Sequence, residues 1–455
     1  MRKVDVTVVV VGAGVAGLIA ARTLRALGHD VLVLEARDRV GGRAFPFVTD
    51  DGTSVDLGAA WLGPKHRRMH ALANELGQGT FPTFMKGKIA FALGARRGRY
   101  QKLPIINPVA LAASGIAFAR LDRMARKVRS DPGWRASHAR TLDAQSVGSW
   151  IEENVAPASA RSLVRLSLNA LHCARDEDVS LLYLLDAVGK ADTLERMREV
   201  DGGGQESLFL GSTAPMLDRM AAALGTELRL EHAVQRIRHH ADGATLFTED
   251  AEIHARRIIL TIPPPLISRV DFEPALDPER VRLLERMRMG NVVKCVAIYE
   301  RPFWRDAGFC GHFWADGGPV SFGYDTSSPL SRRGALAMFA DADRADALSR
   351  LDPHRRKQIV LEAAARFFGP AAEQPIAYAD VAWSNELWSG GAYSAHAQPG
   401  SCASGDACLR KPLGVLHWAG TETALEWAGY MEGAAESGER VAREVADRLR
   451  ASHLG

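Results

Sequence analysis

The sequence predicts an α/β protein with a parallel sheet, and the order of elements at its start carries this prediction. An apolar strand over residues 4–11 runs into a glycine-rich turn, followed by a helix over 15–27 that Gly28 ends and a second strand over 30–34. Such a strand–helix–strand unit requires parallel strands joined by a right-handed crossover. The length of 455 residues allows two or three domains.

The elements that follow mix helices and strands without an internal repeat. Further strands are predicted over 227–238, 245–249, 257–263 and 290–300. Helices are predicted over 107–130, 141–153, 158–171, 178–196 and 213–224, and as an amphipathic helix over 433–450. Residues 395–410 are rich in Gly, Ser and Pro and are predicted to be the least structured and most mobile loop.

Composition and charge exclude several classes of function. The net charge is +3, and the densest basic stretch, 120–129, has the spacing of a solvated helix face, so no nucleic-acid partner is expected. No stretch of about 20 apolar residues is present, so no membrane span is expected. The short apolar run at the start lacks a cleavage site, so it is predicted to be a strand and not a signal peptide. The protein is therefore expected to be cytoplasmic.

The five cysteines are scattered and show no metal-ligand spacing. Cys402 and Cys408 share one loop and could pair, but free thiols in a reducing compartment are favoured for all five. The full set is Cys173, Cys295, Cys310, Cys402 and Cys408.

The first turn carries a dinucleotide-binding pattern, G-x-G-x-x-G, between a strand and a helix. Gly12 permits the tight turn, Gly14 lets the backbone approach a diphosphate, and Gly17 lets the helix pack closely on the sheet. Val15 and Ala16 open the helix, whose N-terminus attracts phosphate. Glu35 ends the second strand, where a carboxylate binds ribose hydroxyls. The pattern predicts a Rossmann-like domain.

Residues after Glu35 distinguish a flavin from a nicotinamide cofactor. Ala36 and Arg37 lead into Arg39, Gly41, Gly42 and Arg43, where two glycines permit a second close approach and two arginines can neutralise a diphosphate. A small-residue segment then follows, consisting of Gly58, Ala59, Ala60 and Trp61. This arginine–diglycine–arginine run resembles the flavin-dependent amine oxidases, a family that includes monoamine, polyamine and L-amino-acid oxidases. The resemblance implies FAD.

A second block near the end of the chain, residues 417–433, continues this resemblance. In the family, Glu422 would bind the ribityl and phosphate portion of FAD, and the backbone at Met431 would face the pyrimidine edge of the ring. Val234 would contact adenine through its backbone. The remaining cofactor residues implied by the resemblance are Trp388, Gly420, Thr421, Gly429 and Tyr430.

The resemblance spans nearly the whole chain and implies a monoamine oxidase-like architecture with two domains. The Rossmann-like FAD-binding domain would comprise 1–80, 203–288 and 386–455. An interleaved α+β substrate-binding domain would comprise 81–202 and 289–385.

Four side chains are the candidates for chemistry. Lys294 matches the family lysine that bonds through water to flavin N5, and burial within an apolar strand would depress its pKa. Tyr393 and Tyr430 match two rings that hold the amine before the flavin. Gln205 would orient substrate, although a surface turn explains its segment nearly as well. Ala392 stands where animal monoamine oxidases carry a flavin-linked cysteine, so FAD is expected to bind non-covalently.

The resemblance implies oxidation of an amine to an imine, with hydride transfer to flavin N5 and reduction of O2 to H2O2. Three alternatives remain open. One is an L-amino-acid oxidase, which needs an arginine for the substrate carboxylate, with Arg175 and Arg198 as candidates. The others are an amine dehydrogenase with a non-O2 acceptor and an FAD-containing protein-interaction module. The identity of the amine and the oligomeric state are undetermined, with a homodimer left open. His172 is expected beside the cavity.

Overall fold

A computed structural model describes residues 2–94, 96–101, 107–401 and 407–454. The strands are β1 (Arg2–Val11), β2 (Val31–Leu34), β3 (Pro46–Val48), β4 (Ser54–Asp56), β5 (Trp61–Leu62), β6 (Thr80–Pro82), β7 (Lys88–Leu93), β8 (Arg96–Tyr100), β9 (Ser207–Phe209), β10 (Leu228–Arg229), β11 (Arg236–His239), β12 (Ala244–Phe247), β13 (Ala251–Leu260), β14 (Asp271–Glu273), β15 (Met287–Met289), β16 (Val292–Tyr299), β17 (Phe309–Ala315), β18 (Phe322–Asp325), β19 (Gly334–Asp341), β20 (Ala377–Ala382), β21 (Ala395–Ala397) and β22 (Leu416–Trp418).

The helices are α1 (Val15–Ala26), α2 (Arg67–Glu75), α3 (Pro108–Ser130), α4 (Pro132–Ala144), α5 (Val147–Asn154), α6 (Ala158–His172), α7 (Leu181–Ala191), α8 (Leu194–Arg198), α9 (Ala214–Leu224), α10 (Pro278–Glu285), α11 (Phe303–Asp306), α12 (Ala342–Ser349), α13 (Pro353–Phe368), α14 (Ala407–Arg410) and α15 (Met431–Leu454). None of the helices in the described part of the chain is long and apolar enough to cross a membrane.

The first of two large sheets confirms the predicted α/β class. Its strand order is β10-β2-β1-β13-β12-β11-β14, with β22 also paired to β13. β1 is parallel to β2, as the first strand–helix–strand unit requires, and on its other side it is also parallel to β13. Helices α1, α2, α9 and α15 contribute to one apolar core on this sheet, which includes Val8, Leu24 and Val445.

The second large sheet is mostly antiparallel, in the order β20-β16-β19-β18-β17-β7-β8. Helix α13 packs on one face through residues such as Val360 and Ala364. A separate helical layer, α3 to α8, has its own core, which includes Leu121, Trp150 and Leu185. The arrangement is a Rossmann-like sheet with a second sheet, as predicted. The domain boundaries drawn from the resemblance stay a prediction.

Several predicted elements are divided in the structure. The strand predicted over 227–238 is two short strands, β10 and β11, because Glu231 has φ +59° and the chain turns there. The helix predicted over 141–153 is α4 and α5, because Ser146 caps a new helix. The helix predicted over 178–196 is mainly α7 and α8, separated where Asp192 has φ +85°.

Other differences concern where elements begin and end. The strand predicted over 257–263 is β13, which begins at Ala251 and ends at Leu260. The terminal helix α15 begins at Met431, two residues before the predicted start. Within the predicted loop 395–410 lie β21 and α14, while residues 402–406 are outside the described residues.

Four cysteines are free thiols, as predicted: Cys173, Cys295, Cys310 and Cys408. Cys402 lies outside the described residues, so its state stays a prediction.

Candidate active site

A cavity of about 960 Å³ lies where the carboxyl ends of β1 and β2 approach the second sheet. Its cofactor half is lined from 11–16, 34–44, 57–61, 232–235, 261–270 and 420–434. Its substrate half is lined from 85–89, 111–118, 163–205 and 312–324, and by Tyr100. Lys294 and Tyr393 lie at the junction of the two halves, because both neighbour the ring cluster formed by Trp61, Tyr324 and Phe339.

The glycines of the first turn have two different structural roles. A Cβ on Gly12 would lie 2.4 Å from Thr261 Oγ1, and one on Gly17 would lie 1.9 Å from the carbonyl oxygen of Gly12. Gly14 has open space, since its Cβ would meet only the Gly41 carbonyl oxygen at 4.0 Å. Gly12 and Gly17 therefore permit the backbone packing, while Gly14 borders room for a diphosphate. This cradle fits a dinucleotide cofactor.

Glu35 is buried at the end of β2, and backbone N–H groups fill part of the hydrogen-bonding capacity of its carboxylate. Its Oε2 accepts from the Ala13 N–H at 2.7 Å, and its Oε1 accepts from the Arg37 N–H at 3.0 Å. A carboxylate has about four acceptor sites, so capacity remains for ribose hydroxyls. The loop after β10 is fixed here, because the His232 N–H donates to the Glu35 carbonyl oxygen, and this loop brings Val234 to the cavity.

Arg43 and Glu422 form a bidentate ion pair at the wall of the cofactor half. The guanidinium donates to Glu422 Oε1 at 2.6 Å and to Oε2 at 3.1 Å, and also to the Tyr393 carbonyl oxygen at 2.8 Å. Burial alone would raise the pKa of Glu422, but the Arg43 charge holds the pKa below its ordinary value. Arg43 lines the cavity and Glu422 does not. Direct contact between Glu422 and a cofactor stays a prediction.

Lys294 is buried in β16, and its side chain reaches the small-residue segment. Its Nζ donates to the Gly58 carbonyl oxygen at 2.7 Å and lies 4.9 Å from the Trp61 ring centroid. Burial lowers the pKa of Lys294 to about 8, partly offset by the negative charge of Asp56. The pKa of Asp56 is itself raised to about 6 by burial. The lysine therefore titrates close to neutral pH.

Tyr430 and Gln205 are fixed by the same backbone atom. The Tyr430 hydroxyl donates to the Met197 carbonyl oxygen at 2.9 Å, and Gln205 Nε2 donates to it at 3.0 Å. Within the described residues, Gln205 Oε1 is buried and accepts no hydrogen bond. A Cβ on Gly204 would lie 2.9 Å from the Tyr430 ring, so the glycine run lets the ring approach the backbone. Gln205 thus has an acceptor available beside the cavity.

Nearly all the predicted site residues line this one cavity. The exceptions are Gly17, which packs against Gly12, Glu422, which lies behind Arg43, and Arg39, whose side chain donates to the Val40 and Gly42 carbonyl oxygens. The cofactor-half residues that do line it are Gly12, Gly14, Val15, Ala16, Glu35, Ala36, Arg37, Gly42, Arg43, Gly58, Ala59, Ala60, Trp61, Val234, Trp388, Gly420, Thr421, Gly429, Tyr430 and Met431. The candidates for chemistry, Lys294, Tyr393, Tyr430 and Gln205, line it as well, as do Ala392 and His172.

Sequence reasoning missed several lining or supporting residues. His312 and Tyr324 stack with ring centroids 4.4 Å apart on neighbouring strands β17 and β18, and both line the cavity. Asp56, bonded to Thr213, supports the charge of Lys294. No local motif marks the pair His312 and Tyr324, since the two residues meet only through the pairing of β17 with β18. Of the two arginines considered, Arg198 lines the cavity, while Arg175 does not and pairs with Asp178. No group of side chains suited to a metal ion occurs in the ranges that the structure describes.

The chain is similar to known proteins over nearly its whole length. The family description "flavin containing amine oxidoreductase" matches residues 15–446. A Mycobacterium tuberculosis protein provisionally named flavin-containing monoamine oxidase AofH is 37% identical over 445 residues, covering 98% of this chain and 97% of the relative. Amine oxidase [flavin-containing] A of Equus caballus is 34% identical, covering 97% of this chain and 85% of the relative.

Solved structures of amine oxidases are similar over the same span. Putrescine oxidase bound to putrescine superposes with a TM-score of 0.93 at 30% identity, covering 98% of this chain and 100% of the other. Cyclohexylamine oxidase from Brevibacterium oxydans superposes with a TM-score of 0.91 at 30% identity and the same coverage. The chain thus belongs to the flavin-containing amine oxidoreductase family, whose members are enzymes acting on CH–NH2 groups.

Proposed function

We propose that this enzyme uses non-covalently bound FAD to oxidise an amine to an imine and that O2 then accepts the electrons to give H2O2. The observation that carries the proposal is one cavity that joins a dinucleotide cradle to the Tyr393–Tyr430 pair, with Lys294 at the junction. The neutral amine loses a hydride from its α-carbon and a proton from its nitrogen, which leaves the C=N double bond of the imine, and the hydride and a proton end on O2 as H2O2. Bound FAD would supply the two-electron acceptor.

The cofactor half offers a complementary group for each part of FAD. Gly14 and the N-terminus of α1 suit the diphosphate, since helix N-termini attract anions. Glu35 suits the adenosine ribose. α15 begins at Met431 on the cavity wall, and its N-terminal dipole would stabilise negative charge on the ring system.

The aromatic pair and Gln205 would hold the amine. Tyr393 and Tyr430 provide ring faces that exclude water and favour a polarised nitrogen over the reacting position. Burial raises the pKa of both hydroxyls, so they stay protonated and uncharged. Gln205 Oε1 can accept an N–H from the substrate. The names of the similar structures, a putrescine oxidase and a cyclohexylamine oxidase, support an amine substrate without deciding which.

Lys294 would act on the oxidative half of the reaction. Its ammonium is fixed by Gly58 and borders the cavity, where it can anchor a water and place positive charge near reduced oxygen. Since its pKa is about 8, a substantial share of the protein carries this charge at neutral pH.

Non-covalent attachment rests on Ala392. Its methyl side chain lines the cavity directly before Tyr393 and has no nucleophile. Cys173, whose thiol interacts with Tyr393, is not among the described residues that line the cavity. Denaturation in acid is therefore expected to release free FAD into the supernatant, measured by its fluorescence. Flavin that remains with the precipitate would contradict non-covalent binding.

The proposed reaction is tested by mixing the FAD-loaded protein anaerobically with a panel of amines and L-amino acids. Bleaching of the flavin band by amines, followed by rapid recovery and H2O2 on admitting air, is the expected result. Bleaching by amines without recovery in air would replace the oxidase with a dehydrogenase. Bleaching only by α-amino acids would indicate an L-amino-acid oxidase. A flavin that no compound bleaches would contradict the proposal.

A further inference from the structure

Two buried aromatic side chains outside the cavity support Tyr430. His66 is fully buried and Trp427 nearly so, and neither lines the cavity. The His66 ring centroid lies 4.4 Å from that of Trp427 and 5.5 Å from that of Tyr430, and Trp427 and Tyr430 are 5.2 Å apart. All three pairs are T-shaped, one of the arrangements that aromatic rings prefer. The Tyr430 ring is therefore packed against two rings that lie behind the cavity wall.

The imidazole of His66 is also tied to the backbone. Its Nδ1 accepts from the Gly63 N–H at 2.9 Å, so the proton of the neutral ring is on Nε2. Burial lowers the pKa of His66 to about 3, so the ring is neutral at neutral pH. Nε2 is buried and makes no hydrogen bond to any described residue. An N–H group in such a place is stabilised by aromatic neighbours, which Trp427 and Tyr430 supply.

Gly63 ends a segment, Gly58–Gly63, that begins on the wall of the cofactor half. A Cβ on Gly63 would lie 2.8 Å from the Gly203 carbonyl oxygen and 3.1 Å from the Gly204 Cα. This backbone therefore lies directly against the glycine run that also lets the Tyr430 ring approach. The acceptor on His66 fixes the same backbone from the other direction.

We infer that His66 is a positioning residue that bridges the backbone of the Gly58–Gly63 segment to the Tyr430 ring, and so sets the orientation of that ring relative to the cofactor half. This inference rests on the proposed function and adds a residue that acts through Tyr430 without touching the amine. The Tyr430 hydroxyl is already fixed by the Met197 carbonyl oxygen, at 2.9 Å. With the tip of the ring held there, the bridge holds the ring from behind.

The orientation of this ring matters because hydride transfer depends steeply on how the amine is held. A displacement of about 1 Å can cost about a hundredfold in rate. A loosened Tyr430 ring would still wall the cavity, so the amine would bind nearly as well but react more slowly. The inference therefore predicts a loss in the rate of flavin reduction and little change in the binding of the amine.

The test is stopped-flow mixing of the FAD-loaded enzyme with amine under anaerobic conditions. The amine is the panel compound that reduces the wild-type flavin fastest. The limiting rate of flavin reduction at saturating amine reports how the amine is held, and the half-saturating concentration reports how tightly it binds. The melting temperature of each FAD-free variant measures stability separately.

Two variants each remove one end of the bridge. His66→Phe keeps a ring beside Trp427 and Tyr430 but leaves the Gly63 N–H without its acceptor. His66→Asn keeps a side-chain acceptor close to the place of Nδ1 but removes the ring. Both are expected to lower the limiting rate by about tenfold and to change the half-saturating concentration by less than about threefold.

Met69→Ala is the matched control. Met69 is as fully buried as His66, but it packs in the core on the first sheet and does not line the cavity. The variant is expected to lower the melting temperature, as the His66 variants do, and to leave the limiting rate unchanged. A histidine that only stabilised the fold would behave like Met69.

A double variant tests whether the effect passes through Tyr430. If it does, the histidine has nothing left to position once the ring is gone. His66→Phe in a Tyr430→Leu background is therefore expected to reduce the flavin at the limiting rate of Tyr430→Leu alone. If His66→Phe does not fold, His66→Asn tests the contact with the ring in both backgrounds.

Two results would overturn the inference and leave the proposed function intact, because the flavin is still reduced in both. One is a wild-type limiting rate in either His66 variant. The other is a pair of losses that multiply in the double variant, since His66 would then act without Tyr430. A wild-type flavin that no compound of the panel reduces would overturn the proposed function itself, so the two failures are distinguishable.

Discussion

The two halves of the cavity are built in different ways. The cofactor half consists largely of backbone and small residues from short contiguous motifs, such as Gly12–Gly17 and Gly58–Trp61, with ion pairs such as Arg43–Glu422 behind them. The substrate half consists of large side chains from elements far apart in the chain, including α3, α6, β17 and β18. The shape of the cofactor half depends on backbone conformation, and the shape of the substrate half depends on side-chain packing. Substitutions in the two halves should therefore act in different ways.

The largest effect should come from the glycines of the first turn. Gly17→Ala would place a Cβ 1.9 Å from a backbone oxygen that cannot move freely, costing about 1–3 kcal/mol or more and loosening α1 from the sheet. We expect low yield, a reduced melting temperature and no bound flavin.

Gly14→Ala is the matched variant, because its Cβ would meet open space. It should fold with the melting temperature of the FAD-free wild type and lose only FAD affinity, by about tenfold or more. Calorimetry and FAD titration measure both quantities. Equal losses of stability in the two variants would contradict the division between packing glycines and a cofactor-facing glycine.

An intermediate effect is expected at the junction, in Lys294→Met. FAD should remain bound, while reoxidation of the reduced flavin by O2 slows about ten- to hundredfold, because the positive charge at the junction is lost. Stopped-flow mixing of reduced enzyme with O2 measures this rate. Lys357→Met, at an exposed site, serves as the control, and a reoxidation rate unchanged in Lys294→Met would contradict the role of the lysine.

Lys294 should also make the free energy of unfolding depend on pH. Its pKa is about 8 in the folded protein and about 10.4 when unfolded, so the unfolded chain binds more protons between these values. The free energy of unfolding should therefore gain about 3 kcal/mol from this group as pH rises from about 8 to 10.4. Lys294→Met should lose this rise in denaturant titrations, and Lys357→Met should keep it. A rise that persists in Lys294→Met would show that the lysine is not strongly desolvated.

The smallest effect is expected for Tyr430→Phe, which keeps the ring and removes the hydroxyl. The Met197 carbonyl oxygen would still accept from Gln205, so the loss should be about 1 kcal/mol and kcat/KM should fall about fivefold. Tyr430→Leu removes the ring and should lower kcat/KM considerably more than Tyr430→Phe does, in steady-state assays with the same amine. Similar losses in both variants would assign the effect to the hydroxyl rather than to the ring.

The difference between local backbone conformation and packing also explains which features could be predicted from the sequence. The α/β class, the dinucleotide turn and Glu35 were predictable because each depends on local backbone conformation and on spacing. The stacked pair His312–Tyr324 was not, because it arises from the register of β17 with β18 rather than from a motif. The break at Glu231 was also missed, since nothing in this alternation of apolar and charged residues marks the residue where the chain turns toward the cofactor half.

The most direct measurement is an anaerobic titration of the FAD-loaded protein with an amine from the panel, followed by air. One amine should bleach one flavin, and air should restore the oxidised spectrum with one H2O2 and, after water hydrolyses the imine, one carbonyl product for each amine consumed. A flavin that stays oxidised at saturating amine, or a bleached flavin with no carbonyl product, would contradict oxidation of an amine in this cavity.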